Sequence, residues 1–217
     1  MNVRVFDDPE SVAGAAAALV TEALRDGERS LVLAGGSTPA RAYQLLSEAP
    51  VAWGAVTVLF GDERCVPPDH PDSNYLMARR SLLDSVSPGS VHRMAGELGP
   101  DRAASLYDPV VRWLSPLDLV LLGMGPDGHT ASLFPGRPEL SAEALAVGVR
   151  EAPKPPPERV TLTLGCLRQA RRVVFLVTGG DKAAAFAAAA RGEVPAGMIP
   201  EAEYLVDRAA AAQLSAA

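Results

Sequence analysis

The chain has 217 residues, 48% of them hydrophobic, and a formal net charge of -6. This length suits one domain with a sizeable core, so we expect a single domain over residues 1–217. The acidic balance, without a basic stripe, argues against general nucleic-acid binding, although local cations can still bind an anionic small molecule. Because no apolar run is long enough to cross a bilayer and the N-terminus lacks a targeting pattern, we expect a cytoplasmic protein.

Short β-rich runs alternate with alanine-rich helical stretches, a pattern typical of an α/β sandwich built on a mostly parallel sheet. The predicted strands lie at 3–6, 30–34, 56–60, 117–122, 145–150, 159–164, 172–177 and 203–206. The predicted helices lie at 9–26, 39–48, 100–113, 180–191 and 207–215.

Three of the apolar runs end in polar loops that contain glycine. The loops read GGSTP at 35–39, GDER at 61–64 and GMGPDGHTASLFPG at 123–136. In open α/β sheets, ligands bind beyond the carboxyl ends of the strands. Three such loops in succession therefore favour one shared small-molecule site.

The loops carry side chains suited to proton transfer and anion binding. His129 can exchange protons near neutral pH, and Asp127 lies two residues before it. Arg64 can bind a phosphate or carboxylate through its guanidinium fork. Asp62 can act as a base, orient a sugar hydroxyl or pair with the arginine. Taken alone, the loop around His129 could be a tight turn with a structural histidine. The charged triplet at 62–64 could equally form a surface salt bridge.

The GGSTP loop has the pattern of a strand, a glycine turn and a helix start. Gly35 and Gly36 allow the backbone to approach a ligand, and Ser37 or Thr38 can cap a helix with Pro39 in its first turn. Exposed N–H groups there favour a phosphate. The loop lacks the lysine of a Walker A motif and does not match the dinucleotide fingerprint, so an ordinary capped helix is the alternative.

A stiff proline segment, APKPPPERVTLTL at 152–164, carries Lys154 and leads through Arg159 into a strand. Such a segment can hold a cation toward an anionic ligand, or serve as a rigid surface connection. The remaining histidines, His70 and His92, have no ligand-type spacing with other residues. We therefore expect them to be structural or solvent-exposed, and we expect no metal site.

Taken together, GGSTP, GDER with its following SNY, GMGPDGHTASLFPG and PKPPPERVTLTL resemble the 6-phosphogluconolactonase family of hydrolases. The resemblance continues into VVFLVTGGDKAAA at 173–185 and covers nearly the whole chain. It implies the single-domain, doubly wound, Rossmann-like α/β fold shared with glucosamine-6-phosphate deaminases and ribose-5-phosphate isomerases. It also implies a cofactor-free enzyme of the pentose phosphate pathway that acts on a phosphorylated sugar lactone. Its oligomeric state is left open.

The resemblance gives the candidate residues their roles. His129 would be the base that activates water, and Arg64 with Lys154 would bind the substrate phosphate. Asp127 and Asp62 would either orient the histidine or bind substrate. Arg159 would be a second phosphate ligand or an anchor for the proline segment. The loop amides expected to contact substrate are those of Gly35, Gly36, Ser37 and Thr38.

Two other functions are weighed against lactone hydrolysis. Glucosamine-6-phosphate deaminases share the aspartate and the DGH motif, but carry a glutamate where this chain has Phe134 and a tyrosine where it has Arg64. Related domains also form the ligand-binding parts of transcription regulators. Here the chain opens directly on a predicted strand and helix, so we expect no DNA-binding module and a non-catalytic sensor is the minority interpretation.

Overall fold

The computed structural model describes residues 1–214. The strands found within them are β1 (Asn2–Phe6), β2 (Ser30–Leu33), β3 (Thr57–Phe60), β4 (Asp62–Arg64), β5 (Ser90–Val91), β6 (Leu119–Gly123), β7 (Ala146–Val149), β8 (Arg159–Leu162), β9 (Arg172–Val177) and β10 (Glu203–Asp207). The α-helices are α1 (Pro9–Asp26), α2 (Ser37–Ser47), α3 (Asn74–Ala78), α4 (Pro100–Leu114), α5 (Leu164–Gln169) and α6 (Ala183–Ala190).

Seven strands form a parallel sheet in the order β1-β10-β9-β6-β2-β3-β5. Starting from β2, the chain adds β3 and β5 on one side and then β6, β9 and β10 on the other. The strand order therefore reverses between β2 and β6, as in a doubly wound fold. This arrangement confirms the predicted fold class, and it puts β6, β2 and β3 side by side.

A second, antiparallel sheet of three strands has the order β4-β8-β7. The strands predicted at 145–150 and 159–164 are present, but they belong to this smaller sheet. The sequence predicts a loop at 62–64, but this segment is strand β4, because it pairs with β8 far along the chain. The predicted strand at 159–164 ends early because the Thr163 hydroxyl accepts a hydrogen bond from the Cys166 amide and begins α5.

The central strands of the parallel sheet are buried on both faces, and the alternation of side chains along β6 shows how. Leu119 and Leu121 belong to the core that contains α1 and α2, whereas Val120 and Leu122 belong to the core that contains α4, α5 and α6. Successive residues of a strand point to opposite faces, so a strand covered on both sides needs apolar residues at every position. The uninterrupted apolar run follows from this packing.

The helix predictions were correct for α1 and α4 and wrong at the C-terminal end. Residues 208–213 form turns rather than the helix predicted at 207–215, and residue 215 lies outside the described residues. The Asp207 carboxylate accepts hydrogen bonds from the amides of Gly179 and Ala210, which ties this segment to the neighbouring loop. Tertiary hydrogen bonding has here overridden the helix propensity of alanine.

Within residues 1–214, no helix is both long and apolar enough to cross a membrane.

Two buried tyrosines satisfy the backbone where β2 and β3 end. The Tyr43 hydroxyl accepts from the Ala34 amide at 2.8 Å and donates to the Ala34 carbonyl at 3.0 Å. The Tyr107 hydroxyl accepts from the Phe60 amide at 2.9 Å. Buried backbone groups without partners are costly, so these phenols allow both strands to end inside the protein.

We expect Tyr43→Phe to lower the free energy of unfolding by about 1–3 kcal/mol, because it leaves the buried N–H and C=O of Ala34 without partners. Urea denaturation would measure the loss. Tyr75→Phe is the matched control, since the Tyr75 hydroxyl has no hydrogen-bond partner in the described part of the chain. Equal losses in the two variants would contradict this account.

Candidate active site

A cavity of about 340 Å³ opens at the carboxyl edge of the parallel sheet, where the strand order reverses. Its wall is formed by the segments that follow β2, β3, β6 and β9 and by the proline segment before β8. Most of the residues selected from the sequence line it: Gly35, Gly36, Ser37, Thr38, Asp62, Arg64, His129, Lys154 and Arg159. Asp127, the remaining one, contacts His129 and is not part of the wall.

His129 is the side chain in this cavity best suited to proton transfer. Its Nδ1 lies 2.5 Å from Oδ1 of Asp127. The other ring nitrogen, Nε2, forms no hydrogen bond within residues 1–214. When Nδ1–H donates to the carboxylate, Nε2 is the basic nitrogen and carries the available lone pair. The ring of Phe134 packs against the imidazole, with the centroids 4.6 Å apart, and holds its orientation from behind.

The surroundings keep this imidazole neutral at neutral pH. Burial lowers the pKa of His129, and the Lys154 charge lowers it further, while the hydrogen bond and charge of Asp127 act in the opposite direction without cancelling the effect. Partial burial raises the pKa of Asp127, but its contact with His129 outweighs this and the net pKa is lowered. The pair is therefore an ionised carboxylate holding a neutral imidazole.

Gly125 makes this histidine–aspartate pair sterically possible. A Cβ at position 125 would lie 2.1 Å from both Cε1 and Nδ1 of His129 and 2.5 Å from Oδ1 of Asp127. The loop is closed by hydrogen bonds from the Gly125 amide to the His129 carbonyl and from the Gly128 amide to the Gly125 carbonyl. Gly128 itself has a φ of 80°, which favours glycine. The glycines of this motif thus fold the loop tightly around the pair.

The N-terminus of α2 faces the same cavity without a side-chain cap. The prediction that Ser37 or Thr38 caps this helix is wrong, because Gly36 occupies the N-cap position with a φ of 115°. The Thr38 hydroxyl instead lies 2.7 Å from that of Thr178, across the cavity wall. First-turn N–H groups that no side chain occupies are suited to an anionic ligand.

Strand β4 presents Asp62 and Arg64 to the cavity and turns Glu63 away from it. Asp62 forms no hydrogen bond with His129: its carboxylate accepts from Ser132 Oγ at 2.6 Å and from Asn74 Nδ2 at 3.0 Å. Arg64 donates through Nη1 to the Asp72 carbonyl at 2.7 Å, and its buried Nε has no partner among residues 1–214. Arg64 therefore retains donors for a ligand.

Arg159 is engaged by the proline segment. It donates to the carbonyls of Pro156 at 3.0 Å and Lys154 at 2.9 Å, and its guanidinium lies 5.6 Å from the centroid of the Phe134 ring. These bonds favour the anchoring role over that of a phosphate ligand. Lys154, which Arg159 helps to hold, is exposed and forms no salt bridge in the described part of the chain.

Sequence reasoning missed Thr178 and Lys182, which line the cavity from the TGGDK segment after β9. The signal was present, because the apolar run 173–177 is followed by glycines, as are the runs before the three loops named above.

Lys154 and Lys182 are the only lysines of the chain, and both lie in the cavity wall. The charged residues of this wall are Asp62, Arg64, Lys154, Arg159 and Lys182, so a protein of net charge -6 has a cationic cavity. Within residues 1–214, no cluster of three or more His, Cys, Asp or Glu residues is arranged to hold a metal ion.

Comparison with known proteins identifies the family. The model described as "Glucosamine-6-phosphate isomerases/6-phosphogluconolactonase" matches residues 7–207. A 6-phosphogluconolactonase of Mycobacterium leprae is 37% identical, with 98% of each chain covered. The chain belongs to this family.

Solved structures agree with the assignment to the glucosamine-6-phosphate isomerase/6-phosphogluconolactonase family. A 6-phosphogluconolactonase from Trypanosoma brucei superposes with a TM-score of 0.88 at 28% identity, covering 99% of this chain and 98% of that one. A monomeric glucosamine-6-phosphate deaminase superposes with a TM-score of 0.85 at 22% identity, covering 98% and 100%. The second match shows the fold alone, so the choice between the family's activities depends on the residues of the site.

For this family member we expect Asp127→Asn to lower the pKa of His129 below its wild-type value. The substitution removes the negative charge that raises the pKa and leaves the burial that lowers it. NMR titration of the imidazole signals would measure the change, with His129→Gln assigning the resonance. The signals of His70 and His92 are the internal controls and should not move. An unchanged or raised pKa of His129 would contradict the electrostatic description of the pair.

Proposed function

We propose that the protein hydrolyses 6-phospho-D-glucono-1,5-lactone to 6-phospho-D-gluconate, a step of the oxidative pentose phosphate pathway, as a single cytoplasmic catalytic domain. The observation that carries the proposal is the neutral imidazole of His129, held by Asp127 in a cavity with a cationic wall. The full-length relative named 6-phosphogluconolactonase supports the same reaction.

Hydrolysis of a δ-lactone requires a base, a site for the oxyanion and a proton for the leaving oxygen. In this proposal, Nε2 of His129 takes a proton from water as the water oxygen bonds to the lactone carbonyl carbon. The tetrahedral intermediate then breaks its bond to the ring oxygen, and the imidazolium returns the proton to that oxygen. Asp127 stabilises the imidazolium that forms in between. Our candidates for stabilising the oxyanion are backbone N–H groups of the glycine loops.

The cationic side chains are matched to the substrate phosphate. Arg64 has guanidinium N–H groups without a protein partner, and Lys154 has no carboxylate partner, within residues 1–214. Lys182 adds a third cation beside the uncapped N-terminus of α2, although Asp181 lies 3.1 Å from its Nζ. We assign phosphate binding to Arg64 and Lys154, with Lys182 as an additional ligand. Such contacts remote from the reacting carbon position the substrate for attack.

The site favours lactone hydrolysis over amino-sugar deamination. Deamination needs ring opening and proton transfer between adjacent carbons, for which the deaminases use an additional glutamate. Phe134 occupies that place in the chain, and it is buried behind the imidazole rather than exposed in the cavity. In the described part of the chain, Asp62 is the one carboxylate of the cavity wall, and it is already hydrogen-bonded by Ser132 and Asn74.

We expect the purified protein to hydrolyse 6-phosphogluconolactone well above the spontaneous rate and to release no ammonia from glucosamine 6-phosphate. His129→Ala should reduce the catalysed rate by about 10²- to 10⁴-fold, because it removes the general base. Acid release, corrected for spontaneous hydrolysis, measures the rate. His92→Ala is the matched control, since this histidine is not part of the cavity wall.

Each other outcome of this assay points to a different function. Near-normal hydrolysis by folded His129→Ala would refute the assigned base. Ammonia release without lactone hydrolysis would identify a deaminase. Neither activity from folded protein would favour a sugar-phosphate sensor.

We expect Arg64→Ala and Lys154→Ala to raise KM and to reduce discrimination between phosphorylated and unphosphorylated gluconolactone by about 10- to 100-fold, the usual worth of one or two contacts to a charged group. The ratio of kcat/KM for the two lactones measures this loss. Arg41→Ala is the control, because Arg41 pairs with Glu10 on the surface. Wild-type discrimination in both variants would show that these cations do not bind the phosphate.

The lysine composition of the chain gives a direct check on these contacts. Reductive methylation with ¹³C labels only two side chains, Lys154 and Lys182, besides the N-terminal amine. Addition of 6-phosphogluconate should shift both NMR signals. A signal that stays in place excludes that lysine from phosphate binding.

A further inference from the structure

We propose that Glu63, which does not line the cavity, is a positioning residue that fixes Asp62 and Arg64 for the reaction from the opposite face of β4. The effect of Glu63 on catalysis depends on the proposed function. Glu63 stands between two candidate site residues, and the sequence motifs assign no role to it. Glu63 is hydrogen-bonded to the Asp72–Tyr75 turn, and that turn is hydrogen-bonded to both neighbours.

The carboxylate of Glu63 is the centre of a buried hydrogen-bond network. Only 3% of the residue is exposed. It accepts four hydrogen bonds, from the backbone amides of Arg64 (2.8 Å), Asn74 (2.7 Å) and Tyr75 (2.8 Å) and from the hydroxyl of Ser73 (2.9 Å). One carboxylate therefore fixes both the backbone of its own strand and the start of α3.

Three hydrogen bonds join the Asp72–Tyr75 turn to Asp62 and Arg64 of β4. Nδ2 of Asn74 donates to Oδ1 of Asp62 at 3.0 Å and to its carbonyl at 2.9 Å. The Asp72 carbonyl accepts from Nη1 of Arg64 at 2.7 Å. Moving this turn would thus move the side chains of both cavity residues. Glu63 holds the turn in place.

The same turn also touches the GGSTP loop. A Cβ at Gly35 would lie 2.2 Å from Oδ1 of Asn74, so the glycine backbone and the asparagine side chain are in direct contact. The segments after β2 and β3 are thereby held against each other at the cavity. The network of Glu63 reaches two of the loops that form the cavity wall.

Glu63 is held by hydrogen bonds and not by a counter-charge. Glu63 has no salt bridge to Arg or Lys within residues 1–214, and burying an ionisable group without a counter-charge is costly. Ser73 caps α3 by accepting from the Leu76 amide at 3.1 Å, which leaves Glu63 as the acceptor for the first two helix amides, those of Asn74 and Tyr75. Three donors of the turn and the Arg64 amide converge on this side chain, and a carboxylate has lone pairs for all four.

Glu63→Gln tests the proposal, because the side-chain amide keeps the shape but directs N–H groups at donors. We expect kcat/KM for 6-phosphogluconolactone to fall about 10- to 100-fold, the scale of a small misplacement of binding groups. Discrimination in favour of the phosphorylated lactone should fall with it. Asp118→Asn is the matched control, since Asp118 accepts two backbone amides and a hydroxyl at the opposite edge of the sheet. It should keep wild-type discrimination even if it lowers stability.

A double-mutant cycle separates positioning from general destabilisation. If Glu63 acts through Arg64, Glu63→Gln should produce no further loss of discrimination in an Arg64→Ala background. A full additional loss there would overturn the assigned route. Should Glu63→Gln fail to fold, Ser73→Ala removes one of the four donors and should change discrimination in the same direction by a smaller factor.

Calorimetric binding of 6-phosphogluconate keeps this proposal distinct from the proposed reaction. Wild-type protein that binds the product but does not hydrolyse the lactone would overturn the reaction alone. Weaker binding by Glu63→Gln, beside unchanged binding by Asp118→Asn, would still support positioning. An active wild type with unchanged turnover, discrimination and binding in Glu63→Gln would overturn the role of Glu63 alone.

Discussion

Parallel pairing of β6, β2 and β3 is the constraint on which the remaining structure depends. Because these strands run in the same direction, their carboxyl ends meet at one edge, and the reversal of strand order between β2 and β6 opens a gap there. Helices cover both faces of the sheet, so a ligand has access from the edge. The three glycine loops converge for this reason.

Ending strands inside a protein leaves backbone groups that need partners, and this molecule supplies them with side chains. Tyr43 and Tyr107 serve the ends of β2 and β3, Glu63 holds the turn beside β4, and Asp207 holds the loop after β9. Each of these side chains is buried, and none belongs to the cavity wall. The wall is therefore supported by a layer of satisfied polar groups behind it, which keeps the site geometry defined.

Two electrostatic requirements are met at different parts of the cavity. A general base must be unprotonated, and burial together with the nearby Lys154 charge keeps the imidazole of His129 neutral. An anionic substrate needs cations, and Arg64, Lys154 and Lys182 supply them in a chain that is acidic as a whole. The same positive charges that attract a phosphate also disfavour the imidazolium. Asp127 offsets this destabilisation, because its carboxylate stabilises the imidazolium that forms during the proposed reaction.

Local sequence patterns were sufficient for whatever depends on burial and periodicity. The apolar runs identified the buried strands, and the glycine loops after them identified most of the cavity wall, because a strand covered on both faces must be apolar until it ends. Partners brought together from distant parts of the chain were decided only by the tertiary structure. Strand β4 exists because β8 pairs with it, and Thr38 bonds to Thr178 instead of capping α2. A sequence pattern records which face of an element is buried, whereas a hydrogen-bond partner is selected by the fold that places it within about 3 Å.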